Sequence, residues 1–159
     1  KPKIVRKKIF EDTRGFFVEN FKDRDFSEKF IQDNLSYSKY KGTVRGMHFQ
    51  IGEYAQTKLV TVLKGKILDV VMNLQTEEIF SYELCAKELD SLLVPNNYAH
   101  GFMTLENDTL VSYKVDNYYK QESEGSINWR DDIFQDIWPE FEEYFLSEKD
   151  QDAPYYKKL

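Results

Sequence analysis

The sequence predicts an all-β protein, a sandwich or barrel of short antiparallel strands. Three observations carry that prediction. From Gln32 onward, apolar residues fall at every second position or in short runs, the spacing of strands with one or both faces buried. Gly, Pro and Asn bound those runs at regular intervals. No apolar run approaches the length that crosses a bilayer, so the chain reads as soluble and without a membrane partner.

Ile4 to Phe10 mixes apolar and basic residues and reads as an edge strand. Glu11 to Gly15 is a turn, and Phe16 to Phe21 a second strand. Phe26, Phe30 and Ile31 have the spacing of one helix face, so a short helix is expected over Asp25–Ile31. Thr43–Gln50, Lys58–Leu63 and Ile67–Leu74 follow as strands, the last two joined as a hairpin through Lys64-Gly65-Lys66. Ile79–Cys85 and Ser91–Val94 are further strands, and Pro95 ends the second of them. Gly101–Leu105 and Thr109–Val115 read as another hairpin through Glu106-Asn107-Asp108. Beyond Tyr119 the apolar anchors Trp129, Ile133, Ile137 and Trp138 stand among acids, and Pro139–Tyr144 reads as a short helix.

The chain of 159 residues suits a single domain over 1–159 with a substantial core. Its net charge of −6 and its scattered basic residues argue against nucleic acid as a partner. The basic clusters at Lys1–Lys8 and at Lys157-Lys158 read as solvated tails. Cys85 is the only cysteine, which points to a reducing compartment and a buried small hydrophobe. No leader is read at the N-terminus, and a cytoplasmic location is expected.

Few residues are suited to proton transfer near neutral pH, since only His48 and His100 are histidines. His48 lies in Arg45-Gly46-Met47-His48-Phe49-Gln50, where it reads as a general base or a satisfied core histidine. The two histidines lie far apart with no second His or Cys beside either, so no metal site is expected. No serine sits in a nucleophile elbow and no glycine-rich phosphate loop exists. Tyr113 alternates with Val111 and Val115 on an inward face, as a core tyrosine or a proton donor. Lys58 opens an apolar run, as a solvated strand end or a cation at a cavity mouth. Arg14 and Arg45 each precede a glycine, which lets backbone approach a ligand, and otherwise read as surface arginines.

These residues, in order, resemble the nucleotide-sugar 3,5-epimerases of the dTDP-4-dehydrorhamnose 3,5-epimerase type. The matching blocks include Asp12-Thr13-Arg14-Gly15-Phe16-Phe17-Val18-Glu19, Gln32-Asp33-Asn34, Arg45 through Gln50, Lys58-Leu59-Val60 and Gly65 through Val71. They continue with Val94-Pro95, Ala99-His100-Gly101-Phe102, Tyr113, Asn117-Tyr118-Tyr119, Glu124 and Leu146 through Asp150. The resemblance implies a cupin-like jelly-roll β-barrel with a few short helices, needing no cofactor. It implies His48 as general base with Asp150 as its carboxylate, Tyr113 as proton donor, and Lys58, with His100, beside the developing oxyanion. Arg14, Phe17, Glu19, Gln32, Asn34, Arg45, Tyr119, Glu124 and Lys149 match positions that hold a nucleotide-diphospho-4-keto sugar. The implied reaction inverts C3, C5 or both of a 4-keto-6-deoxy sugar, or a related heptose, on a dTDP, GDP or CDP carrier, in surface polysaccharide synthesis. A homodimer that exchanges N-terminal strands is implied too. The chain departs from the family at Asn73-Leu74-Gln75, in the loop Asn96-Asn97-Tyr98 and in a short stretch ahead of Arg14. A 4-keto-sugar isomerase or a noncatalytic nucleotide-sugar binding module on the same barrel are the alternatives.

Overall fold

A computed structural model of the chain describes residues 1–156, so Lys157 and Lys158 lie outside the described residues. In chain order the strands are β1 (Lys3–Val5), β2 (Ile9–Asp12), β3 (Gly15–Val18), β4 (Gln32–Ser38), β5 (Val44–Gln50) and β6 (Lys58–Lys64). They continue as β7 (Lys66–Asn73), β8 (Ile79–Cys85), β9 (Ser91–Val94), β10 (Tyr98–Thr104), β11 (Thr109–Val115) and β12 (Glu124–Ser126). One turn of α-helix, α1 (Glu148–Gln151), follows near the C-terminus.

Two five-stranded antiparallel sheets face each other. The first has the order β1-β9-β6-β11-β4 and the second β12-β5-β10-β7-β8. Consecutive strands from β4 to β7 alternate between sheets, which gives the jelly-roll order, two Greek keys folded together. β2 and β3 form a separate hairpin with Phe10, Phe16 and Phe17 exposed.

The period-two pattern of the strands explains the interior. Val60 and Val62 of β6, Ile67 and Val71 of β7, and Val111 of β11 meet Leu92, Val94 and Phe102 between the sheets. The other face of β7, with Val70 and Met72, packs on Met47, Ile127 and Phe134. The segment from Ile127 to Tyr156 therefore covers the outside of the second sheet, which explains why β10 is buried at every position. Trp129 and Trp138 stack edge-on within that cover, and Trp138 Nε1 donates to the Trp129 carbonyl at 2.9 Å.

Strand bounds from β5 to β9 and for β11 match expectation within about a residue. Both expected hairpins do not form. β6 and β7 belong to opposite sheets, as do β10 and β11, so each short connection is a corner between layers. Gly65 takes φ +85° at the first corner, and a Cβ there would lie 2.4 Å from Thr109 Oγ1 at the second. A short connection cannot distinguish a hairpin from a corner, because both reverse the chain.

Ile4–Phe10 is two strands rather than one. Arg6 pairs with Asp90 at 3.0 Å and Lys7 donates to Asn20 at 2.7 Å, so this stretch leaves the sheet between β1 and β2. The strand expected to reach Phe21 ends at Val18. The helix expected over Asp25–Ile31 is replaced by a 3-10 turn at Asp23–Asp25. Phe26 and Phe30 instead stack with Phe21, at centroid distances of 5.5 to 5.9 Å, which shields the rings from water without a helix. Pro139–Tyr144 is likewise not helical. Tyr144 Oη accepts from the Phe141 N–H at 2.9 Å and so holds an irregular turn. β10 begins at Tyr98, three residues before the expected Gly101, which brings His100 into the ladder. Cys85 is half-buried rather than buried.

Phe134 is 1 % exposed within the cover of the second sheet. Phe134→Ala is expected to lower unfolding stability by about 3–5 kcal/mol. Urea denaturation checks this, and a loss below about 1 kcal/mol contradicts the packing described.

Candidate functional site

His48 lies on β5 of the second sheet and Tyr113 on β11 of the first, so the two side chains enter the sandwich interior from opposite layers. Packed sheets stand about 10 Å apart, enough to hold a flat six-membered ring between them. Two adjoining cavities of about 540 and 500 Å³ open here, and His48, Lys58, Tyr113 and Leu35 line both. Arg45, His100, Lys149 and Asp150 complete the first, and Gln32, Asn34, Tyr119 and Glu124 the second.

The close approach of β5 and β10 needs glycine. At Gly46, φ is +116° and a Cβ would lie 2.6 Å from Gly101 Cα and 2.7 Å from the His100 carbonyl. His48 and His100 are directly opposed in this strand pair. Each imidazole has its own carboxylate. His48 Nε2 meets Asp150 Oδ1 at 2.6 Å, and His100 Nε2 meets Asp69 Oδ2 at 2.8 Å. A carboxylate only accepts, so Nε2 carries the proton in the His48 pair and Nδ1 is left with a free lone pair.

Asp150 is 5 % exposed. Burial works against its charge, but the hydrogen bond and charge of His48, the Gly46 N–H and Lys149 outweigh burial and hold the carboxyl below its ordinary value. Asp150 Oδ2 accepts from the Gly46 N–H at 3.2 Å. Ser147 caps α1 by accepting from the Asp150 N–H at 3.2 Å.

Lys58, at the start of β6, brings a cation to both cavities. Burial pushes its ammonium down to about 8, against the fields of Asp69 and Glu124, which favour the charge. Burial also raises the Tyr113 phenol, while the Arg45 charge and an Asn34 hydrogen bond pull it back. Arg45 is itself fixed, with Nε donating to Ser38 Oγ at 3.1 Å and Nη2 to the Tyr37 carbonyl at 2.8 Å. Glu124 accepts from Tyr119 Oη at 2.5 Å and Lys149 Nζ at 2.7 Å. Burial opposes the Glu124 charge, and these two partners outweigh it.

Three residues expected at the site lie outside both cavities. Arg14 and Phe17 are exposed on the β2–β3 hairpin, where Arg14 pairs with Asp12 at 2.6 Å. Glu19 follows the hairpin and pairs with Lys22 at 3.1 Å. Within one chain Arg14 thus fits the surface reading.

Asp69, Phe49, Gln56 and Ser147 were not among the expected site residues. Asp69 carried a signal, as the one charge inside Ile67-Leu68-Asp69-Val70-Val71-Met72. A fully buried carboxylate requires a partner, and His100 supplies it. Its other oxygen is buried without a hydrogen bond among the described residues.

The Lys58 value gives a pH signature. The unfolded chain binds this proton up to about 10.5 and the folded chain only up to about 8. Between those values the unfolded state holds more protons, so this lysine's cost is relieved as pH rises. Lys58→Met removes the effect. Its stability relative to the parent is expected to be flat below pH 8 and to fall toward pH 10.5, read by thermal unfolding across that range. A difference independent of pH contradicts the burial of this ammonium.

Comparison with known proteins gives a consistent result. Residues 2–158 match the sequence model of the family described as dTDP-4-dehydrorhamnose 3,5-epimerase. The enzyme of that name from Salmonella typhimurium is 40 % identical, over 95 % of this chain and 88 % of its own length. That from Sinorhizobium fredii is 39 % identical, over 96 % and 83 %. The Bacillus anthracis structure, solved with TDP and PPi bound, superposes with a TM-score of 0.93 at 38 % identity, covering 98 % of this chain and 94 % of that one. The Legionella pneumophila structure, in complex with dTDP-4-keto-L-rhamnose, gives 0.88 at 33 % identity, covering 98 % and 94 %.

Proposed function

The chain belongs to the dTDP-4-dehydrorhamnose 3,5-epimerase family, an isomerase class of enzyme, and from that premise we propose that it inverts C3, C5 or both of a dTDP-linked 4-keto-6-deoxy sugar. The observation that supports this reading is the His48–Asp150 pair on one sheet with Tyr113 on the other, around shared cavities.

The chemistry follows from the ketone. A 4-keto group acidifies the C–H bonds at C3 and C5. His48 Nδ1, free because Nε2 serves Asp150, takes the proton from one face. Asp150 stabilises the imidazolium that forms. Negative charge moves onto the C4 oxygen, where Lys58 and His100 stabilise it. Tyr113 returns a proton to the same carbon from the opposite face and the centre inverts. Each inversion needs one base and one acid, and a deprotonated Tyr113 and protonated His48 exchange their protons with water before the next.

Arg45 suits the diphosphate, which a guanidinium grips bidentately. Gln32, Asn34 and Tyr119 offer amides and a ring to the nucleobase, with Glu124 and Lys149 alongside. Arg14, Phe17 and Glu19 lie outside the cavities of their own chain, and we propose that they serve the site of a second copy, in a homodimer that exchanges its β2–β3 hairpin.

Incubation with dTDP-4-keto-6-deoxyglucose in heavy water tests the chemistry. Deuterium is expected at C3, C5 or both. Tyr113→Phe is expected to keep washing deuterium into the unreacted sugar while inversion falls by about 10²-fold or more. No incorporation with any 4-keto nucleotide sugar overturns the assignment. The exchange is tested by mixing Arg14→Ala and His48→Ala chains after mild denaturation. One complete site forms in each mixed dimer, restoring about a quarter of parental activity. No recovery means that Arg14 acts within its own chain or not at all.

A further inference from the structure

We propose that Asn128 is a positioning residue that sets the Asp150 carboxylate against His48. The inference rests on reading His48 as the base.

α1 is a single turn, and helices much shorter than about 12 residues do not hold themselves together in water. The place of Asp150 must therefore be fixed from outside the helix. Ser147 caps its start. Its end is held by Asn128, which is 6 % exposed. Asn128 Nδ2 donates to the Gln151 carbonyl at 3.0 Å and to the Ala153 carbonyl at 3.0 Å, the residues just past Asp150. Its backbone N–H donates to the Pro154 carbonyl at 2.8 Å. Its Oδ1 accepts from the Arg130 N–H at 2.9 Å, so the amide can point only one way.

Asn128 is also tied to the strand that carries His48. Ser126 of β12 is the register partner of His48. Ile127 then exchanges backbone hydrogen bonds with Met47, at 3.0 and 3.2 Å. A short route through Ser126, Ile127, Asn128 and Gln151 thus helps set the spacing between His48 and Asp150, beside the direct bond from the Gly46 N–H to Asp150 Oδ2. Asn128 lines neither cavity around His48, so it acts on the substrate only through other residues.

Replacement by aspartate keeps the shape and removes both donated bonds. Asn128→Asp is expected to lower kcat by about 10- to 100-fold, as a misplaced group does, with KM and dTDP affinity within about threefold of the parent. A second readout needs no turnover. A histidine N–H shared with a carboxylate gives a far-downfield proton resonance, and the protein has two such pairs. Asp150→Asn and Asp69→Asn assign them. Asn128→Asp is expected to lose the His48 signal and keep that of His100. An inactive parent with this NMR result would sink the epimerase reading and leave the positioning role standing. An unchanged His48 signal and kcat overturn the positioning role, as does a loss confined to KM. Should Asn128→Asp fail to fold, Asn128→Ser, which retains one donor, is read by the same criteria. Failure of both to fold counts against the proposal, since Asn128 would then be holding the fold and not the carboxylate.

Discussion

The hydrogen bond between His48 and Asp150 joins two parts of the chain that lie 102 residues apart, and the site depends on it. A hydrogen bond to a charged group contributes about 1.5–3 kcal/mol, and a buried carboxylate deprived of its partner costs more than that. The segment carrying Asp150 thus has an energetic reason to pack against β5. The same bond fixes which imidazole nitrogen is protonated and leaves the other free to accept a proton.

Around that bond the sandwich supplies separation. A barrel closed by side chains would leave no room for a ligand. Here the inner face changes character along its length. Val62, Ile67, Leu84 and Val111 fill one end, while Lys58, His100, Tyr113 and Asn34 line the other. The apolar end holds the sheets at their spacing, and the polar end uses that spacing. Asp69 marks the join, a charge placed among apolar neighbours because His100 and Lys58 need it there.

Much of this was legible in the residues. Alternation placed the strands from β5 to β9 and β11, and the inward face of Val111, Tyr113 and Val115 followed from it. Sheet membership was not legible, because Gly65 and Glu106–Asp108 permit a hairpin and a corner equally. The helix over Asp25–Ile31 failed because three phenylalanine rings found one another without it. His48 stood out by scarcity, but its partner could not be found by spacing, since nothing local links residue 150 to residue 48. Only family resemblance pointed to Asp150. Arg14, Phe17 and Glu19 show the converse. Resemblance named them, and the fold of one chain leaves them away from the cavity.

The most direct test of the account is a crystal structure with an unreactive nucleotide-linked 4-keto sugar analogue bound. The account predicts the sugar ring between the sheets, with His48 Nδ1 toward one face, Tyr113 Oη toward the other, and the C4 oxygen at Lys58. A ring seated elsewhere, or both groups on one face, would contradict it.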